Sequence, residues 1–290
     1  MGNYTFVDRD YNCEKSFVIS KEEYGTLQAT LVDYINSEKA AGRATLVSIY
    51  FRDLEDGPTM SIDASTDYVP ASLLKLPLAI TLMRAADEHP DILNTVINSG
   101  DLLPAAPQAF APAQTVQPNT SYTLIDLIYR ALAYSDNLSA QILFESRKQI
   151  TGLPAPLEQT YRDLGVIDPG TSLDAAVVNA KEYSGILRML YSVAFLSKDN
   201  SEKLLSILSH SQFDQGLRQG VPESITIAHK FGERSLGKGE AELHDCGIIY
   251  YPNNPYILCV MTKGTSFSNL ATIIGHISTL VYQEVDSRKL

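Results

Sequence analysis

Three short clusters carry residue types able to do acyl-transfer chemistry. The first is Ser72-Leu73-Leu74-Lys75. On a helix, positions three apart share a face, so the Lys75 amine can reach the Ser72 hydroxyl. Serine is a poor nucleophile until a neighbour takes its proton, and lysine can do so if burial or a second cation lowers its pKa. If Ser72 opens the helix, its own backbone N–H is also available to an oxyanion. Pro77 should remove a helical hydrogen bond and kink the helix just beyond this pair. The second cluster is Tyr134-Ser135-Asp136-Asn137, between two helical stretches. Its serine could relay a proton and its amide could bind substrate, although Ser, Asp and Asn are equally the residues of a helix N-cap. The third is His229-Lys230-Phe231-Gly232, at the end of an expected strand. There Lys230 would bring a second cation and Gly232 would let substrate approach the strand edge. Taken singly, each cluster has an ordinary structural explanation.

Their order changes the reading. An S-x-x-K motif, then S-D-N, then a K-[TS]-G-like triplet resembles the signature set of class A β-lactamases and penicillin-binding proteins. Ser135 lies 63 residues after Ser72, and Lys230 a further 95 on, spacings similar to that family. The resemblance implies an acyl-enzyme on Ser72, with Lys75 as proton acceptor and Ser135 as relay to the leaving nitrogen. Asn137 and Lys230 would hold the substrate, while the backbone N–H groups of Ser72 and Glu233 would form an oxyanion hole. It also implies an extracytoplasmic location, although no signal peptide is visible in Met1 to Gly42.

Two departures bear on substrate and turnover. Phe231 stands where the family carries a Thr or Ser hydroxyl that meets the substrate carboxylate, so that contact would fall to Lys230 or another residue. The E-x-x-L-N pattern, whose glutamate activates the deacylating water in class A enzymes, is absent. Between Tyr161 and Asn179 the only carboxylates are Asp163, Asp168 and Asp174, and their plain role is in loops and caps. The expectation is therefore a serine hydrolase that acylates readily and deacylates slowly. A cell-wall D,D-peptidase or transpeptidase, and a non-enzymatic penicillin-binding sensor, remain open beside the β-lactamase reading. The corresponding partners are a β-lactam or a D-Ala-D-Ala-type peptide.

The elements that must position these groups follow from periodicity. Residues 21–41 form an amphipathic pattern, with Tyr24, Leu27, Leu31, Tyr34 and Ile35 on one face and Gly42 as a stop. Strands are expected at 45–51, about 58–63, 224–228, 243–251 and 256–262, and a closing helix carries Leu270, Ile273, Ile274, Ile277, Leu280 and Val281. Between them, helices are expected at 72–87, 124–133, 138–148 and 180–196, with 101–121 as an ordered surface loop. The sum is an α+β fold: an antiparallel five-stranded sheet made from both chain ends, flanked by helices, with a mostly helical second lobe. One catalytic domain is expected over 1–290, its α/β lobe at about 21–66 plus 224–290 and its helical lobe at about 67–223.

Composition narrows the function. A net charge of −11 without a Lys/Arg block argues against nucleic acid, and no run is long and apolar enough for a bilayer span. Five histidines without ligand spacing imply no metal, and nothing implies an organic cofactor. Cys13, Cys246 and Cys259 look too few and too scattered for a disulfide framework, with Cys259 read as a buried thiol. His244-Asp245-Cys246 is not a triad if it lies on a strand, because neighbouring side chains point to opposite faces.

Overall fold

The computed structural model describes residues 4–8, 24–55, 57–102, 107–151, 156–167, 172 and 176–288. Among these described residues are seven strands: β1 (Leu46–Asp53), β2 (Thr59–Ile62), β3 (Val96–Asn98), β4 (Ser121–Thr123), β5 (Ile227–Gly237), β6 (Glu240–Ile249) and β7 (Tyr256–Gly264). Eight α-helices accompany them: α1 (Gly25–Ala40), α2 (Lys75–Glu88), α3 (Leu124–Ala133), α4 (Asn137–Thr151), α5 (Pro156–Asp163), α6 (Ala180–Tyr191), α7 (Lys198–Leu208) and α8 (Phe267–Ser287). Five strands make one antiparallel sheet in the order β2-β1-β7-β6-β5, so both chain ends build it and β5 is an edge. Strands β3 and β4 form a separate two-stranded ribbon.

The sheet is covered on both faces, which explains why β7 is an almost unbroken apolar run rather than an alternating one. Leu258 and Val260 of β7 pack with Leu27, Leu31 and Ile35 of α1 and with Ile273, Ile274, Ile277 and Val281 of α8. Their neighbours Ile257, Cys259 and Met261 point the other way, into a core shared with α2, α3, α6 and α7. The period-two alternation thus sorts one strand between two cores. Helix starts follow their side chains: Thr123 accepts from the Asp126 N–H and Asn179 from the Glu182 N–H, capping α3 and α6.

The expected α+β architecture is the observed one, with differences in detail. Strand β5 runs on to Gly237, so the Lys230 cluster lies inside a strand and not at its end. The extension exists because Gly237, Lys238 and Gly239 all take positive φ and turn the chain tightly into β6. Helix α6 stops at Tyr191, short of 196, and Val193 has a φ of 55°. Helices α5 and α7 and the β3–β4 ribbon were not foreseen: these segments are short, and α5 is strongly polar. The expected start of α1 at 21 lies outside the described residues. Among the described residues, no helix is long and apolar enough to cross a membrane.

The cysteine expectation is corrected. Cys246 and Cys259 are directly opposed on β6 and β7 and are joined by a disulfide. Their spacing in sequence carries no hint of it, because only the strand register sets them opposite each other. His244 and Asp245 do point apart, as strand geometry requires: His244 bonds to Val69, whereas Asp245 bonds to His229 and to the Leu217 N–H.

Candidate active site

Ser72 lies in a single 3₁₀ turn, Ala71–Leu74, that leads directly into α2. The turn is over-determined from several sides. Ala71 takes a φ of 48°, a conformation disfavoured for a residue with a Cβ and held only when its surroundings enforce it. Upstream, the Val69 N–H donates to the Glu242 carboxylate at 3.0 Å, and the Val69 carbonyl accepts from His244 Nε2 at 3.1 Å. Downstream, Pro77 cannot donate to the Leu73 carbonyl four residues before it. The Tyr183 hydroxyl donates to that carbonyl at 3.1 Å, and the Tyr161 hydroxyl donates to the Leu74 carbonyl at 2.9 Å. Burial raises the pKa of both phenols, which keeps them protonated as donors. The proline's missing bond is therefore replaced by a side chain from α6.

Gly232 brings this turn against the sheet. A Cβ at Gly232 would lie 3.0 Å from the Pro70 carbonyl oxygen and 3.2 Å from the Leu73 nitrogen. The space beside this glycine is thus taken by the nucleophile turn itself, and β5 and the turn pack backbone to backbone.

The remaining motif residues converge beside the turn. Lys75 Nζ donates to the Ser135 carbonyl at 2.5 Å, to Asn137 Oδ1 at 2.7 Å and to Ser135 Oγ at 3.2 Å. Lys230 Nζ reaches the same hydroxyl from β5 at 2.8 Å, and also donates to the Phe231 carbonyl at 2.8 Å. Ser135 is fully buried, with a φ of 56°, so the loop between α3 and α4 is itself strained at its central residue. Asp136 works as a cap. It accepts from the Ser139 N–H at 3.0 Å and from Thr115 Oγ1 at 2.7 Å, anchoring both α4 and the segment before β4.

Two ammonium groups buried so close together cannot both keep their ordinary basicity. Burial lowers the Lys75 pKa to about 7, with Asp136 and Glu233 pulling weakly in the opposite direction. Lys230, with no exposed surface, is pushed well below the usual lysine range by burial and then by the charge on Lys75. The site therefore holds an amine able to exchange a proton near neutrality, one helical turn from a serine. Ser72 itself makes no side-chain hydrogen bond among the described residues, and Lys75 is directed to the Ser135–Asn137 loop rather than to Ser72.

The side chains of Phe231 and Glu233 are both engaged by other parts of the chain. The Phe231 ring is buried, stacked on Phe213 at 4.1 Å between centroids and met edge-on by Phe110 at 6.0 Å. The Glu233 carboxylate accepts the N–H groups of Ala109 and Phe110 at 2.9 and 3.1 Å. Gln108 Nε2 meanwhile donates to the Ser135 carbonyl at 3.2 Å. The segment at 108–116 thus forms a strap from the Ser135 loop to the free edge of β5. Behind it lies a cavity of about 230 Å³ bordered by Phe110, Tyr134, Gln212, Phe213, Asp214 and Phe231.

Of the carboxylates between 161 and 179, Asp168 and Asp174 lie outside the described residues. Asp163 ends α5 and is tied to Arg84 at 3.2 Å, far along α2 from Lys75, and to Gln159. Sequence reasoning missed Tyr161, Tyr183, Glu242 and His244 as supports of the Ser72 turn. It also missed the buried His229–Asp245 pair at 2.8 Å behind Lys230. Of these, only the missing donor at Pro77 left a trace in the sequence, because it leaves a carbonyl in need of a partner.

An antiparallel sheet flanked by helices, with a Ser-x-x-Lys turn facing a Ser-Asp-Asn loop and an edge-strand lysine, is the architecture of the β-lactamase and transpeptidase folds. A family model described as the β-lactamase enzyme family matches residues 28–285, and the chain belongs to that family. No curated protein matches by sequence. Solved structures match in fold. A β-lactamase from Chitinophaga pinensis DSM 2588 is 22% identical, with a TM-score of 0.73, over 88% of this chain and 99% of that one. A class A β-lactamase from Mycobacterium abscessus is 23% identical, with a TM-score of 0.71, over 88% and 99%. A mutant of PBP-A, solved as an acyl-enzyme complex with penicillin G, is 20% identical, with a TM-score of 0.72, over 90% and 97%.

Proposed function

We propose that the protein is a serine acyl-transfer hydrolase that forms an acyl-enzyme at Ser72 and cleaves amide bonds of the β-lactam type. The observation that carries this reading is the meeting of Lys75, Ser135 and Lys230 at one hydroxyl beside the Ser72 turn. In this reading Ser72 Oγ attacks the carbonyl and its proton passes to Lys75, whose burial leaves the amine able to accept it near neutral pH. With both lysines donating to Ser135 Oγ, that hydroxyl's own hydrogen is left to serve the leaving nitrogen. Asn137 steers Lys75 and contributes to substrate binding, while the N–H groups of Ser72 and Glu233 receive the oxyanion; one such donor is typically worth about 10²–10³ in rate. The Cys246–Cys259 disulfide fits an extracytoplasmic protein, since such bonds persist in oxidising compartments.

A second reading, a D,D-peptidase-like acyl-transferase, is favoured by one observation. Asp163, the one described carboxylate of the segment before α6, is bonded to Arg84 and is not free to activate a deacylating water. Intact-protein mass spectrometry over time, with a penicillin and a neutral activated ester and with Ser72→Ala as control, tests both. A transient adduct with accumulating product supports hydrolysis, and a persistent one supports the acyl-transferase. No serine-dependent adduct with either reagent ends the acyl-enzyme reading.

A further inference from the structure

We propose that the strap at 108–116 is an autoinhibitory cover, and that an amide substrate meets the Ser135–Lys230 pair only after the strap has lifted. The inference rests on the acyl-enzyme reading and adds a step that precedes acylation. If Ser135 passes a proton to the leaving nitrogen, its hydroxyl must come within hydrogen-bond reach of that atom, about 2.6–3.2 Å. Ser135 and Lys230 have no exposed surface, and Lys75 is 7% exposed. Ser72 is only half-buried. A substrate could therefore touch the nucleophile while its leaving nitrogen is shut off from the proton relay. An amide needs that relay, because an amine anion is a poor leaving group. An activated ester, whose phenolate leaves unaided, does not.

The contacts single out the strap as the part that moves. Ser135 Oγ meets Lys230 Nζ at 2.8 Å across the gap between the α3–α4 loop and β5. The strap spans the same gap. Gln108 Nε2 donates to the Ser135 carbonyl at 3.2 Å, and the Ala109 and Phe110 N–H groups donate to the Glu233 carboxylate of β5 at 2.9 and 3.1 Å. Both lysines lie on packed elements. The Ser135 loop is pinned by the Tyr134 and Asp136 N–H groups, which donate to the Arg130 carbonyl at 3.2 and 3.1 Å. The strap is held more lightly. Ala109, Ala111, Ala113, Gln114 and Thr115 are exposed. Its one large apolar side chain before Val116 is Phe110, partly buried against Phe213, Phe231 and Phe267 at 4.9 to 6.0 Å between centroids. At the far end Thr115 and Val116 are fixed to Asp136 and Val116 is buried, so release at 108–110 would swing the segment about that end. Segments with few buried apolar contacts open at low cost. Glu233 couples the two events, because its carboxylate holds the strap while its own N–H is the one assigned to the oxyanion.

The acylation rate is the open-state rate multiplied by the fraction of molecules open, so loosening the strap should speed the reaction. With a penicillin, Ser72 Oγ bonds to the lactam carbonyl carbon, the C–N bond breaks, and the ring nitrogen takes the proton that left serine. With a neutral activated phenyl ester, the C–O bond breaks and the phenolate leaves without that proton. Labelling of Ser72 by each reagent is followed by mass spectrometry on the full chain, in the parent, Gln108→Ala and Phe110→Ala. Gln108→Ala is expected to raise the penicillin rate about three- to tenfold, the equivalent of one typical hydrogen bond, and Phe110→Ala at least as much. Both should leave the ester rate unchanged. In the penicillin-labelled parent, the Ala109 and Phe110 amides should exchange hydrogen faster than in the free protein, while the amides of β6 and β7 keep their protection. Penicillin rates that stay level or fall in both variants overturn the inference and leave the acyl-enzyme reading standing. Strap amides equally protected in the labelled protein do the same. A rise shared by both reagents also overturns it, because it marks a general loosening of the site. Labelling of the variants by penicillin with an inert parent supports it. If no form labels Ser72 with either reagent, the inference and the acyl-enzyme reading fall together.

Discussion

Lys75 and Lys230 donate to the same oxygen, Ser135 Oγ, at 3.2 and 2.8 Å. One comes from the first turn of α2 and the other from the edge strand β5, and the hydroxyl between them is fully buried. Two cations at this range would repel strongly in a low-dielectric setting, so the arrangement favours loss of a proton from one of them. Proton exchange near neutral pH is thus a consequence of how helix and strand are packed.

If Ser135 delivers the proton to the leaving group, Ser135→Ala should harm substrates in proportion to how badly they need that proton. Acylation by an amide should fall by about 10²–10⁴, the range typical of a positioned acid or base. Acylation by an activated ester, whose phenolate leaves unaided, should fall much less. Equal losses on the two would assign Ser135 a structural role only.

The Lys75 pKa of about 7 makes two pH predictions. Acylation should rise with pH through about 7 as the amine becomes free to accept a proton. Stability has the same sign. Between the folded value and the unfolded value of about 10.4 the unfolded chain binds a proton that the folded chain lacks, so stability increases with pH across that window. Below it both states are protonated and the burial penalty is complete. Urea denaturation of Lys75→Met should therefore show a flatter pH dependence than the parent, by about 2–3 kcal/mol between pH 6 and pH 9.

Tyr183→Phe removes the donor that replaces Pro77 at the Leu73 carbonyl. Leaving a buried carbonyl unpaired costs about 1–3 kcal/mol, and a lowered denaturation midpoint at unchanged slope would register it. The same change at Tyr161 exposes the Leu74 carbonyl to the same loss.

Glu233→Ala deletes the acceptor for the Ala109 and Phe110 N–H groups. Hydrogen bonds to a charged group are worth about 1.5–3 kcal/mol, so hydrogen exchange at these two amides should accelerate by about 10–100-fold. The amides of β6 and β7 should keep their protection. Acceleration spread evenly over the chain would mean that Glu233 supports the fold as a whole and not the strap.

Alkylation of the denatured, unreduced protein should label a single thiol, Cys13, because Cys246 and Cys259 are joined. Reduction first should raise the number to three. Three labels without reductant would show that the pair is formed only as an apposition across the strands.

Periodicity and side chains close together in the chain were enough for the five strands of the main sheet, its construction from both chain ends and the three clusters, but not for α5, α7 or the β3–β4 ribbon. The helix expected over 124–133 is found at those residues, and the structure adds the Thr123 cap at its start. The tertiary structure decided everything that depends on register and approach. It opposed Cys246 to Cys259, and set Gly232 against the Ser72 turn. It also replaced the proline's missing donor with Tyr183 and turned Phe231 into one wall of an aromatic cavity. These partners lie from 13 residues apart, for the two cysteines, to 160, for Ser72 and Gly232, and no local pattern couples them. Their meeting depends on which strand edges and helix faces can be buried together, a property of the packed chain and not of any segment.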